Sequence, residues 1–178
     1  ALEAGKYIRN ADFKILPDPR AEATVADMQA QYDFISGINA TINKAHEAIE
    51  TIRSVNAKLA EFQKTYKDDA DQKSLVASAK ALAEQLSTVE KALYQTQNRS
   101  GQDPLNFPIR LTNKLGHLNS MAGMDDFAPT AQDLMVRDEL TAKINEQMEA
   151  FSEAINKDLK AFNDAFSQAA LPYLKIGN

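Results

Sequence analysis

The polar side chains most capable of chemistry crowd into one stretch, Gln97 to Leu118, where Asn98, Arg99, Asp103, Asn106, Arg110, Asn113 and Lys114 surround Gly101, Pro104 and Pro108. Guanidinium groups, amides and a lone carboxylate can hold a ligand or dock a domain. The same residues also suit a structural task. Asp103 and Asn106 can cap turns, and Arg99 or Arg110 can bond carbonyls left without partners where a helix breaks. Both readings fit the residue types. The seven are therefore the candidate binding or docking loop.

Elsewhere the chain offers little reactive chemistry. Glycoside hydrolysis requires two acids flanking a bond, one with a raised pKa. The candidates are Asp125 with Asp126, Asp68 with Asp69, and Asp103, and nothing apolar around them would raise a pKa or shape a sugar cleft. His46 and His117 stand alone, without the Glu-x-x-His or His-Glu-x-x-His spacing of metal-binding helices. No phosphate-binding glycine loop, dinucleotide fingerprint or serine elbow occurs. With zero cysteines, thiol catalysis, disulfides and thiolate metal sites are excluded together. The triplets Asn39-Ala-Thr41 and Asn98-Arg-Ser100 match the glycosylation acceptor pattern, which is common by chance and receives no role. The sequence thus assigns no catalytic residue, no metal and no cofactor.

Charge narrows the partners. The net charge is -5, with both signs interspersed, and no stretch concentrates enough Lys or Arg to release counterions from a polyanion. Nucleic acid is not expected as a partner. No apolar run approaches 18 residues, so no membrane span is expected either. The opening Ala-Leu-Glu-Ala-Gly-Lys-Tyr reads as a cut from a longer protein, with any secretion signal upstream.

The elements that must position the loop are helical. Apolar residues are 44% of the chain, and the long segments are rich in residues that lose little rotamer freedom in a helix. From Ala23 to Tyr66 apolar or small residues recur at Val25, Met28, Tyr32, Ile35, Ile38, Ile42, Ala45, Ile49, Ile52, Val55, Leu59, Phe62 and Tyr66. The mean step is about 3.4, as expected of a helix packed along its whole length. The polar turn 67–73 offers aspartates as caps. A second stripe, Leu75, Ala79, Leu82, Leu86, Val89 and Leu93, predicts a helix ending near Gln97. Pro108 is expected in the first turn of a short helix carrying Leu111, Leu115, Leu118 and Ala122, which stops near Gly123. A last helix is expected from Pro129, capped by Asp126 or a neighbour, to about Leu171, with Pro172 as its stop. Its stripe is Leu134, Leu140, Ile144, Met148, Phe151, Ile155, Leu159, Phe162, Phe166 and Ala169, and its phenylalanines belong to the core.

Helix lengths then suggest the architecture. The first and last helices span roughly 65 and 60 Å, and the second and third, about 35 and 20 Å, nearly match them when placed end to end. The expectation is an all-α fold: a long antiparallel three-legged helical bundle with a broken middle leg, made of four helices in sequence. A four-helix bundle with the short helix doubling back is the alternative. Before it, residues 1–20 read as a strand remnant and Pro-rich linker from an upstream domain, with Tyr7, Phe13 and Ile15 extended ahead of Pro17 and Pro19; a disordered tail is the other reading. The bundle domain is expected over 21–178.

The segment Asp103-Pro-Leu-Asn-Phe-Pro-Ile-Arg-Leu-Thr-Asn-Lys-Leu-Gly-His-Leu118 resembles a signature near the C-terminus of bacterial exported proteins built on BNR-repeat or sortilin-type β-propellers, often labelled glycosyl hydrolases. Phe13-Lys-Ile-Leu-Pro-Asp-Pro-Arg20 is similar to that family's junction between a small β-sandwich and a terminal helical region. The resemblance implies export and an upstream β-propeller, with this chain as its helical appendage. Propeller active-site residues would lie outside these 178 positions. It therefore implies a non-catalytic accessory or interaction module that packs on its own upstream β-propeller or β-sandwich domain or forms a homodimer. Alternatively, the 98–114 loop completes an enzyme site shared with the propeller. A free-standing coiled-coil adaptor is a third possibility, disfavoured by the strand-like N-terminus.

Overall fold

A computed structural model describes residues 1–169 and 171. The chain is all-α apart from one short hairpin. Strands β1 (Leu2–Ala4) and β2 (Tyr7–Arg9) pair antiparallel, Ala4 opposite Tyr7, around Gly5 at φ 58°, a backbone state that strains other residues. Phe13 and Ile15, expected in a strand, lie outside the hairpin at 85% and 84% exposure. The register explains this: pairing runs only to Arg9 opposite Leu2, so Phe13 and Ile15 meet no partner strand among the described residues.

Helix α1 runs Val25–Tyr66 and starts in a capping box. The Thr24 hydroxyl accepts from Asp27 N–H at 3.2 Å, and the Asp27 carboxylate accepts from Thr24 N–H at 2.8 Å. After a turn in which the Asp69 carboxylate accepts from Asp71 N–H, α2 occupies Lys73–Leu93. Helix α3 is Leu111–Ala122 and α4 is Ala131–Glu153. A π-helical segment, Ala154–Leu159, joins α4 to α5, Lys160–Gln168.

Cross-links between helices fix the legs. Arg53 pairs with Glu90 at 2.7 Å and Asn56 donates to Ser87 at 3.2 Å, so α2 descends along the C-terminal half of α1. Asn119 donates to Asn39 at 3.1 Å and Gln31 donates to the Ala122 carbonyl at 2.7 Å, so α3 continues that descent along the N-terminal part. The short helix does not double back. The third leg then rises parallel to α1, its Arg137 guanidinium 5.3 Å from the Phe34 ring at one end and Phe162 and Phe166 against Phe62 at the other. This is the three-legged bundle with the broken middle leg.

Its core is one apolar cluster threaded through all legs. Ile38, Ile52, Leu86, Leu93, Leu115 and Ile144 are its largest fully buried side chains, each contributing about 1.5–3 kcal/mol by leaving water. The α2 stripe is buried at every expected position.

Several expectations for the helices need correction. In the first third of α1, Phe34 is buried while Val25 and Tyr32 are 73% and 66% exposed; Tyr32 lies 200° around the helix from Phe34 and cannot share its face. Leu134 is 39% exposed, and the inward place one turn before Leu140 belongs to Arg137, whose guanidinium covers the Phe34 ring. Pro129 is not a first-turn residue, and Asp126 is not the cap. Thr130 caps α4 in a second capping box, accepting from Asp133 N–H at 3.2 Å. Finally, the last leg is not one uninterrupted α-helix, since the π segment divides it. The expected stop at Pro172 lies outside the described residues.

Candidate functional site

The break in the middle leg is a closed bulge rather than an open loop. Helix α2 stops at Leu93, and Tyr94 turns extended at φ -135°, ψ 147°. That leaves the Leu93 carbonyl without its helical donor, because Gln97 N–H instead reaches Gln95 Oε1 at 3.2 Å. The Thr112 hydroxyl donates to the Leu93 carbonyl at 2.9 Å, and Gln95 Nε2 donates to the Pro108 carbonyl at 2.8 Å. These bonds tie the two sides of the bulge together at its neck. Gln95 and Thr112, 2% and 4% exposed, are the buried polar side chains among the described residues.

Inside the bulge Asp103 organises one turn. Its carboxylate accepts the Arg99 N–H, the Ser100 N–H at 2.7 Å and the Ser100 hydroxyl at 2.8 Å. The amides of Arg99 and Ser100, then the Ser100 hydroxyl, hold its carboxyl below the ordinary Asp range. A carboxylate saturated by its own chain and shifted down is a poor proton donor at neutral pH. Asp103, Pro104 and Leu105 form a single 3₁₀ turn, and Asn106 joins it through its backbone, N–H to the Asp103 carbonyl at 2.9 Å.

The remaining candidates are dispersed. Arg110 is the N-cap of α3, extended at φ -106°, ψ -174°, and its carbonyl accepts from Lys114 N–H at 2.9 Å. Pro108 thus lies outside the helix it was expected to start. Asn113 and Lys114 stand in the first turn of α3. The Lys114 charge helps Lys143, the stronger influence, hold the Glu139 carboxyl of α4 below its usual range. The carboxamide oxygens of Asn98 and Asn113 are enclosed without a partner. Arg99 and Arg110 are exposed and form no ion pair among the described residues, so the helix-end carbonyl expected to need an arginine is served by Thr112 instead. The structural role falls to Asp103, Gln95 and Thr112. Arg99, Asn106, Arg110 and Lys114 are left facing solvent.

Sequence reasoning overlooked the neck residues. Thr112 had a readable signal, since it shares the face of Leu115 and Leu118 at three-residue steps and is buried with them. Gln95 had none, because continuing α2 to Gln97 turns it away from the core.

The other chemical candidates are separate and solvated. Asp126 N–H donates to the Asp125 carboxylate at 3.0 Å, and the Asp125 carbonyl accepts from Gln31. Lys67 lies 3.6 Å from Asp68. His117 is exposed, and His46 lies edge-on to the Tyr94 ring at 6.4 Å, with the Arg53 guanidinium 5.6 Å from that ring. Among the described residues, no three His, Cys, Asp or Glu side chains gather as metal ligands. The grooves of about 370 and 270 Å³ flank α5, and one of about 220 Å³ runs beside His46, Glu50 and Arg53. None of these three is lined by the seven loop candidates. Among the described residues, no helix is long and apolar enough to cross a membrane. Comparison with family models, curated proteins and solved structures found no match.

Proposed function

We propose that this bundle is a non-catalytic interaction module of an exported protein whose preceding domain is a BNR-repeat or sortilin-type β-propeller, as the signature around Asp103–Leu118 suggests. The observation that carries the reading is the apolar rim at the end of the bundle where α1 begins. Tyr32, Met121, Met124 and Met135 are 66%, 66%, 83% and 71% exposed there. The Gln31–Ala122 bond and the Arg137–Phe34 contact bring α1, the α3–α4 turn and the start of α4 to that one end. Met121 and Met124 are neighbours at the α3–α4 turn, Tyr32 and Met135 flank it on the outer faces of α1 and α4, and exposed apolar surface of this kind marks a contact site. It lies at the same end of the bundle as Thr24, where residues 1–23 lead into α1, so the chain's own preceding domain is the partner in closest reach.

The test is the double variant Met124→Glu, Met135→Glu in the full-length protein. Loss of docking should speed limited proteolysis within residues 10–24 while the helical circular dichroism stays unchanged. Unchanged proteolysis overturns the docking reading. A sedimentation shift from dimer to monomer would instead identify a second copy as the partner.

One observation favours a second reading, the composite enzyme site. Arg99 and Arg110 carry exposed guanidinium groups without acidic partners among the described residues, and Leu105 beside them is 83% exposed. Arg99→Ala, Arg110→Ala and Lys114→Ala, made together with Asp103 kept to hold the turn, should leave turnover on a polysaccharide or peptide substrate intact if the module reading is right. A loss of turnover with the fold retained supports the composite site.

A further inference from the structure

The third leg is built in two pieces of unequal hold. Helix α4 inserts Leu140 and Ile144 into the core, and Ala154 at the start of the π segment is fully buried. Helix α5 has no buried residue. It rests on the other legs chiefly through Phe162 and Phe166, whose rings meet Phe62 at 5.3 and 5.8 Å. Open grooves run along both of its flanks. On the α2 side Ala161 and Ala165 are too short to close a gap of about 370 Å³ against Ala81 and Leu82. On the α1 side a gap of about 270 Å³ separates Phe162 and Phe166 from Val55 and Leu59.

The joint between the pieces is the π segment, Ala154–Leu159, where the hydrogen-bond ladder widens before Lys160 N–H closes back on the Lys157 carbonyl. Such widened turns are where helices bend. A segment with few buried contacts, beyond a weakened joint, opens at lower cost than the elements it covers.

We propose that α5 is a latch: it swings out as a unit about the π segment while the rest of the bundle stays folded, uncovering the apolar face of Leu59, Phe62, Leu75 and Leu82. In the closed form the occupant of that face is α5 itself. The aromatic contact at Phe62 sets the closed population.

The absence of cysteine makes a direct test available. Leu82→Cys places a thiol under α5, and Leu86→Cys, one turn along α2 and fully buried, serves as the control. With a thiol reagent too bulky to enter the closed groove, position 82 should be labelled under native conditions at least about tenfold faster than position 86, because local opening reaches only the first. Adding Phe166→Ala, which removes a ring from Phe62 without widening the groove over Leu82, should raise the rate at 82 about tenfold further and leave 86 unchanged. Equal rates at both positions mean that α5 opens only with global unfolding and overturn the proposal. Hydrogen exchange on the unsubstituted chain guards against loss of fold in the cysteine variants: amides of 161–168 should exchange at least about a hundredfold faster than those of 45–62. Similar protection in the two segments refutes the latch, as does fast α5 exchange with slow labelling at 82, which would indicate fraying without exposure of the face.

Discussion

The neck of the bulge can be tested at a single atom. Thr112→Val keeps the side-chain shape and removes only the hydroxyl that donates to the Leu93 carbonyl at 2.9 Å. Both residues are buried, Thr112 at 4% and Leu93 at 0% exposure, and the amide that would ordinarily serve this carbonyl is bonded to Gln95 Oε1. The carbonyl is then left in the interior with no donor, at a cost of about 1–2 kcal/mol after allowing for easier burial of valine. With a urea slope of about 2 kcal/mol per molar, the midpoint of unfolding should fall by about 0.5–1 M. Thr65→Val is the matched control: its hydroxyl donates to the Glu61 carbonyl at 3.0 Å, but on the exposed face of α1. There water replaces the lost donor and the midpoint should move by less than about 0.2 M. Equal shifts in the two variants would refute the reasoning, since the Leu93 carbonyl is buried with no other donor whereas the Glu61 carbonyl lies at the surface inside α1 and keeps its helical one.

The same geometry yields three further expected outcomes. The Asp103 carboxyl lies below its ordinary value of 3.8 in the folded chain, so its contribution to the turn is present above that pH and lost as pH falls through the lower folded value. Amide signals of Arg99 and Ser100 should therefore persist from pH 7 to about 4 and shift together below it, and Asp103→Asn should move them already at neutral pH. Leu115→Ala, at a fully buried position of α3, should destabilise by about 2–5 kcal/mol in urea unfolding. Thr130→Ala removes the α4 cap and should cost about 0.5–2 kcal/mol, whereas Thr130→Gly should cost only a few tenths by the same measurement.

The parts of the fold that were legible are those where one face of a helix meets neighbours throughout its length. Every position of the stripe from Leu75 to Leu93 is buried, and the polar interval 67–73 is the turn it promised. Legibility failed where polar groups substitute for apolar ones or where the helical period changes. At the start of α1 an aromatic at either 32 or 34 could continue a heptad, and the choice of Phe34 depends on Arg137 arriving from a leg more than a hundred positions later. Likewise, the stripe through Ile155, Leu159, Phe162 and Phe166 gives no sign of the π segment. A widened turn rotates the faces of all later helical residues without changing residue types.

Within the loop, polar character identified the right region but not the division of labour inside it. Residues that look alike in sequence have separate fates: Asp103 spends its acceptors on Arg99 and Ser100, while Asn106 contributes a backbone amide to the turn. The carbonyl that seemed to call for an arginine is satisfied by a threonine from the apolar face of α3. The groups that hold the bulge and the groups available to a partner are therefore nearly disjoint. Substitutions at Gln95, Asp103 and Thr112 should appear first in stability and loop order. Substitutions at Arg99 and Arg110, which touch no acidic partner among the described residues, can appear in binding or turnover without a change in fold. A role for the loop beyond structure must rest on that second set.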